Sequence, residues 1–152
     1  MKTLARERDK AEILRRLQAL RRDSGRRWGR MSVHQMVCHL SDGYRVQIGD
    51  RPAVPAASPL PRPMMKAVAL YLPLKWPRGI LTTPDLDQDV GGTKPIDFDA
   101  DLAELAKLVD RASRADPDLP VRVHPLFGRM SDAEWKRWGY LHADHHLRQF
   151  GM

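Results

Sequence analysis

Apolar residues in this chain recur at helical spacing and nowhere alternate over the length of a strand. Leu4, Ala11, Ile13, Leu14, Leu17 and Leu20 predict a first helix from Leu4 to Asp23, stopped at Asp23-Ser-Gly-Arg with Gly25 as its C-terminal cap. A second helix opens at Ser32, where Ser32 and Gln35 stand at the spacing of a capping box, each side chain satisfying the other's orphan backbone N–H. Val33, Met36, Val37, Leu40 and Tyr44 give it a well-defined core face. A third runs from Asp99 to Ala115 on Leu102, Leu105, Ala106, Val109 and Ala112. Asp97 or Asp99 can cap its start, and Asp116-Pro117 ends it. A second capping box, Ser131 to Glu134, opens the last helix at Trp135.

Between the second and third helices the pattern breaks. The stretch GDRPAVPAASPLPRP holds five prolines, and no helix persists through it. Met64 to Leu74 predicts three turns of helix closed by Pro73, followed by turn-rich sequence to Ile96. An interval from Gly49 to Ile96 is far longer than an ordinary helix connection, and such loops commonly act as lids or wraps. Trp76, Ile80 and Leu81 within it call for burial, so it is expected to wrap over the other helices and roof one end. The prediction is all-α: one domain over residues 1–152, a four-helix bundle with a long, partly helical connection over 49–96.

Charge changes that picture little. The net charge is +7, and residues 1–30 hold eleven Lys and Arg against four acids, so the whole surplus sits at the N-terminal end. A basic helix can touch phosphates, but no aromatic platform or recognition motif accompanies these arginines. A solvated face without specific nucleic-acid binding is therefore expected. Cys38 is the single cysteine, which excludes an internal disulfide and fits a reducing compartment. No apolar run approaches the roughly 18 residues of a membrane span, and the N-terminus lacks a secretory pattern, so a cytoplasmic location is expected.

The chemistry gathers in the last helix. Trp135, Trp138, His142, His146 and Gln149 share one stripe, and two tryptophans direct that stripe inward. Buried polar groups need partners. His142 and His146 stand one turn apart, roughly 6 Å between their stems, so both imidazoles can reach one metal ion. The zinc-protease form His-Glu-x-x-His is absent, since position 143 is Ala, and a third ligand has to come from the N-terminal half. His39 lies at the edge of the second helix's apolar face, where a core-edge role and a ligand role both fit. His34 points to the polar side and is expected to be exposed, while Cys38 reads as a small space-filler. His124 sits in a loop without an assignable role.

The segments RWGRMSVHQMVCHLSDGYR and HPLFGRMSDAEW…YLHADHHLRQFG, with WPRGILTTPDL and GGTKPIDFDADLAEL as weaker echoes, resemble the DinB-like superfamily of metal-binding four-helix bundles. The nearest likeness is to an uncharacterised branch of it. That resemblance implies a divalent metal held by one histidine of the second helix and two of the last. Carried over, these are His39, His142 and His146. His145, three residues from His142, is the one competitor. His145 and Gln149 then become outer groups that hydrogen-bond to a ligand or to bound water. The resemblance further implies a homodimer and a transferase or isomerase chemistry using a low-molecular-weight thiol.

Three neutral imidazoles leave coordination positions open, as in catalytic metal sites. The favoured reading is a metal-dependent enzyme, a thiol-dependent transferase or a hydrolase, acting on a small molecule. Zinc or nickel is the expected ion, with iron as an alternative. A non-enzymatic metal-holding or stress-associated module is the second reading. Ordinary core histidines without metal are the third.

Overall fold

The computed structural model describes residues 1–52, 54–57, 60–80, 82–114 and 123–152. The described residues form five α-helices, one 3₁₀ turn and an antiparallel ribbon of two two-residue strands: α1 Glu7–Gln18, α2 Val33–Gln47, α3 Arg62–Tyr71, α4 Phe98–Ser113, β1 Val123–His124, β2 Gly128–Arg129 and α5 Asp132–Gln149. The chain is thus mostly helical. α1 and α2 each pack against both α4 and α5, with α2 and α4 sharing the most extensive interface.

Both capping boxes form. Ser32 Oγ accepts from Gln35 N at 3.1 Å while Gln35 Oε1 accepts from Ser32 N at 2.9 Å. Ser131 and Glu134 repeat the exchange at α5. Of the two candidate caps for α4 it is Asp97 that serves, accepting from Ala100 N at 2.8 Å. These caps satisfy donors that a helix start leaves orphaned, which is why a purely local sequence signal suffices to place them.

α1 is shorter than its apolar stripe predicts, and Gly25 does not cap it, because the helix ends at Gln18 with Ala19 following. Leu4 and Leu20 are nevertheless buried, carried inward by non-helical backbone; Leu4 N donates to Lys136 O on α5 at 3.2 Å. Ala11 is exposed. α3 begins two residues before its predicted start and ends at Tyr71, ahead of Pro73. The stop at Asp116-Pro117 and the burial foreseen for Leu81 fall outside the described residues. Ile80 is exposed rather than buried, and Trp76 is half-buried.

The apolar interior has two parts. One is built by α1, α2, α4 and α5 around Ile13, Met36, Leu40, Tyr44, Leu105 and Leu147. The other lies under α3 and the ribbon, around Val46, Leu70, Phe127, Trp135 and Trp138. The long connection is held down at Asp42, a fully buried carboxylate on α2. Its Oδ1 takes Arg51 at 2.9 Å and the Thr93 hydroxyl at 2.6 Å; its Oδ2 takes Thr93 N at 2.8 Å and Gln88 Nε2 at 3.1 Å. A buried carboxylate is stable only when its lone pairs are filled this way. Both ends of the connection are thereby fixed one helical turn beyond His39, and a single 3₁₀ turn, Pro84–Leu86, is seated against α2.

Candidate metal centre

His39 on α2 and His142 and His146 on α5 converge in the interior, each with a donor nitrogen within 4.8 Å of the others. They are 6%, 8% and 9% exposed, so bulk water solvates none of them well. Their rings meet edge to face, with centroids 5.1 Å apart for His39–His142, 4.9 Å for His39–His146 and 4.9 Å for His142–His146. His39 Nε2 and His142 Nε2 are 3.1 Å apart. Two nitrogens bound to one tetrahedral ion at 2.0–2.1 Å stand roughly 3.3 Å apart, so little movement would bring both onto a metal.

Outer contacts set the tautomers. A carbonyl oxygen only accepts, so the 3.0 Å contact between His39 Nδ1 and Leu86 O requires the proton on Nδ1 and leaves Nε2 bare. Gln149 Nε2 donates to Trp28 O at 2.8 Å, which orients the amide so that its Oε1 accepts from His146 Nδ1–H at 2.9 Å. His146 Nε2 is then bare as well. In the metal-free protein the single proton of His142 Nε2 bridges to His39. His142 Nδ1 has no partner among the described residues. Two neutral imidazoles with bare Nε2 atoms, and a third whose proton can pass to its unpartnered Nδ1, are a donor set for a divalent cation.

Burial pushes all three imidazoles down from their ordinary range, most strongly His142 and His146, where repulsion from the charged forms of neighbouring histidines, His39 and His145 among them, adds to it. They are neutral at physiological pH, the state a metal requires.

Two glycines make room. At Gly43, on α2, a Cβ would lie 3.0 Å from His142 Cε1, 3.2 Å from its Nδ1 and 3.2 Å from Trp138 Cη2. Gly29 has φ +81° and faces Gln149, whose Nε2 would stand 2.4 Å from an added Cβ. Gly43→Ala is expected to weaken zinc about 10-fold, the scale of perturbations just outside a metal's ligands. Fold stability should change by less than about 1 kcal/mol, because alanine's better helix propensity opposes the crowding. Calorimetric zinc titration beside a thermal melt separates the two effects.

His145 is buried between Trp28 and Trp76, at centroid distances of 6.1 Å and 6.0 Å. It touches His146 edge-on at 5.1 Å, and its Nδ1 has no partner among the described residues. Of the two outer groups expected from the sequence, Gln149 hydrogen-bonds a triad histidine, whereas among the described residues His145 packs by ring contact on Trp28, Trp76 and His146. Trp76 also covers His142 at 6.4 Å, and Arg78 lies over Trp28 at 4.5 Å. The long connection thus roofs the triad with Trp76 and the Leu86 carbonyl. His124, unassigned from the sequence, is buried, stacked on Phe127 at 4.3 Å and edge-on to Trp138 at 5.1 Å. Its Nδ1 accepts from the backbone N–H groups of Leu126 and Phe127. It is a structural element of the second apolar cluster. His34 is not exposed as expected: it is half-buried, with Nε2 2.7 Å from Asp101 Oδ2 on α4.

Residues 6–151 match the family described as "Protein of unknown function (DUF1569)". The chain belongs to that family. No curated protein and no solved structure matches it. Membership of that family brings no assigned activity. No helix among the described residues is long and apolar enough to cross a membrane.

Proposed function

We propose that this DUF1569 protein is a divalent-metal-dependent enzyme built on a DinB-like four-helix bundle of α1, α2, α4 and α5. His39, His142 and His146 are its metal ligands, and zinc or nickel is the ion, with iron as the alternative. The observation that carries the reading is the pair of fixed tautomers. The Leu86 carbonyl and Gln149 each hold a proton on the outward nitrogen of a triad histidine, which frees the inward one for a cation. When bound, the ion supplies Lewis acidity and lowers the pKa of a coordinated water or thiol. Leu86 and Gln149 orient two imidazoles, and Trp76, packed against His142 and His145, limits the access of water.

The reaction proposed is transfer to or from a low-molecular-weight thiol, in a reducing compartment such as the cytoplasm and in a homodimer. The DinB-like resemblance is its support. A second reading, a metal-holding module without catalysis, is favoured by one observation: the triad is less than a tenth exposed and roofed.

Elemental analysis of untagged protein purified without chelator tests the site, with at least one equivalent of a transition metal expected. Adding a small thiol to the cobalt form of a Cys38→Ser variant tests access, because the added thiol is then the only one present. A thiolate-to-cobalt absorption band that saturates with the thiol supports the enzyme. An unchanged spectrum supports the metal-holding module, and absence of any metal binding removes both.

A further inference from the structure

On α2, His34 and Cys38 stand four residues apart and therefore share a face distinct from that of His39. That face meets the first turn of α4, where Asp101 projects between them. The donor atoms of His34, Cys38 and Asp101 all lie within 4.8 Å of one another. Three groups converge on a single carboxylate oxygen, Asp101 Oδ2: His34 Nε2 at 2.7 Å, Ile96 N at 3.2 Å and Cys38 Sγ at 3.9 Å.

An ion pair that fastens α4 to α2 would explain His34 and Asp101, and the Ile96 contact would then belong to the approach to α4. Neither accounts for a thiol aimed at the same oxygen, where it makes only a long, weak hydrogen bond. Donors around one tetrahedral ion, at 2.0–2.1 Å for nitrogen and oxygen and 2.3 Å for sulfur, stand roughly 3.3–3.5 Å apart. The contacts of 2.7 Å and 3.9 Å bracket that spacing. The surroundings also suit an ion. The side chains of His34 and Asp101 are 22% and 26% exposed, so solvent reaches two of the three donors, while Cys38 is buried behind them. A carboxylate and a thiolate together balance a divalent charge.

We propose that His34, Cys38 and Asp101 form a second divalent-metal site, separate from the histidine triad, that clamps α2 to α4. Its mixed nitrogen, oxygen and sulfur donors select zinc or cobalt over magnesium and calcium, which take oxygen ligands alone. Without an ion the Cys38 thiol is pushed up to about 12, by burial first and by Asp101 next, so it stays protonated and is a poor nucleophile. A bound cation displaces that proton to solvent, and the proton between His34 Nε2 and Asp101 Oδ2 moves to His34 Nδ1 or is released with it.

Cobalt(II) titration of chelator-stripped protein tests the site, because only thiolate ligation gives an intense near-ultraviolet charge-transfer band. The wild-type protein should take two equivalents and show the band. His142→Ala, which disables the triad, should retain the band with the equivalent that remains. His34→Gln and Cys38→Ser should each lose the band and keep the triad's equivalent, so His34→Gln supplies the readout even where Cys38→Ser folds poorly. No band in the wild-type protein at excess cobalt overturns the proposal. So does a band that survives His34→Gln and disappears in His142→Ala, since the thiolate would then serve the triad's ion. Loss of the triad's equivalent alone leaves this second site standing.

Discussion

Replacing His142 or His146 by alanine, in a Cys38→Ser background that leaves the triad as the only strong site, is expected to abolish stoichiometric zinc binding with helix content unchanged. His142 is central to the arrangement: its ring meets His39 and His146 edge-on and stacks on Trp138 at 4.6 Å. Changing groups outside a metal's ligands costs about 10–100-fold in affinity, and removing one of three ligands costs more. The loss also reads out as stability. Zinc at about 1,000 times its dissociation constant stabilises the native state by about 4 kcal/mol, a rise of roughly 8–16 °C in Tm for a chain of this size. Both alanine variants should lose that rise while melting cooperatively without zinc. A full equivalent of zinc retained by both variants would place the ion elsewhere.

Much of this arrangement was legible because its signals are local. Ser32, Gln35, Ser131 and Glu134 announce two helix starts within four residues each. The stripe from Trp135 to Gln149 survives folding intact, since all five of its residues are buried. What failed to read was non-local. Leu4 and Leu20 belong to the core without belonging to α1, and apolar periodicity cannot tell a helical residue from one carried inward by a folded-back segment. His34 faces the polar side of its own helix, yet that side is covered by Asp101 of α4, 67 residues away. The partner of His39 is a backbone carbonyl, at Leu86, which no residue type encodes. Asp42 holds the connection down from a position that looks like ordinary helix polarity. Gly43 did leave a trace: a glycine inside a helix costs about 1 kcal/mol against alanine, and that cost asks for a reason such as the close approach of His142.

Acid should unfold the metal-free protein steeply, and the buried histidines set where. His39, His142, His146 and His124 are all lowered by burial, His124 to about 3, and His145, less deeply enclosed, is lowered as well. In the unfolded chain each takes a proton near pH 6.5. Below that pH the unfolded state binds protons that the folded state refuses, so stability falls as pH falls. The stabilising contribution of each group is complete above about pH 6.5 and is lost progressively down to its folded value. Each fully buried histidine removes at most about 1.4 kcal/mol per pH unit, and the four together about 5 kcal/mol per unit. A domain of ordinary stability, about 5–15 kcal/mol, is exhausted within roughly one to three units of pH 6.5. Urea melts of chelator-stripped protein should therefore show the unfolding free energy nearly constant from pH 8 to 7 and dropping sharply between pH 6 and 5. Zinc should hold the three ligands deprotonated further into acid, so its release and unfolding coincide at a lower pH in a sharper transition. An unfolding free energy that stayed flat from pH 7 to 5 without metal would mean that the imidazoles accept protons inside the folded protein, and the closed, neutral triad would be wrong.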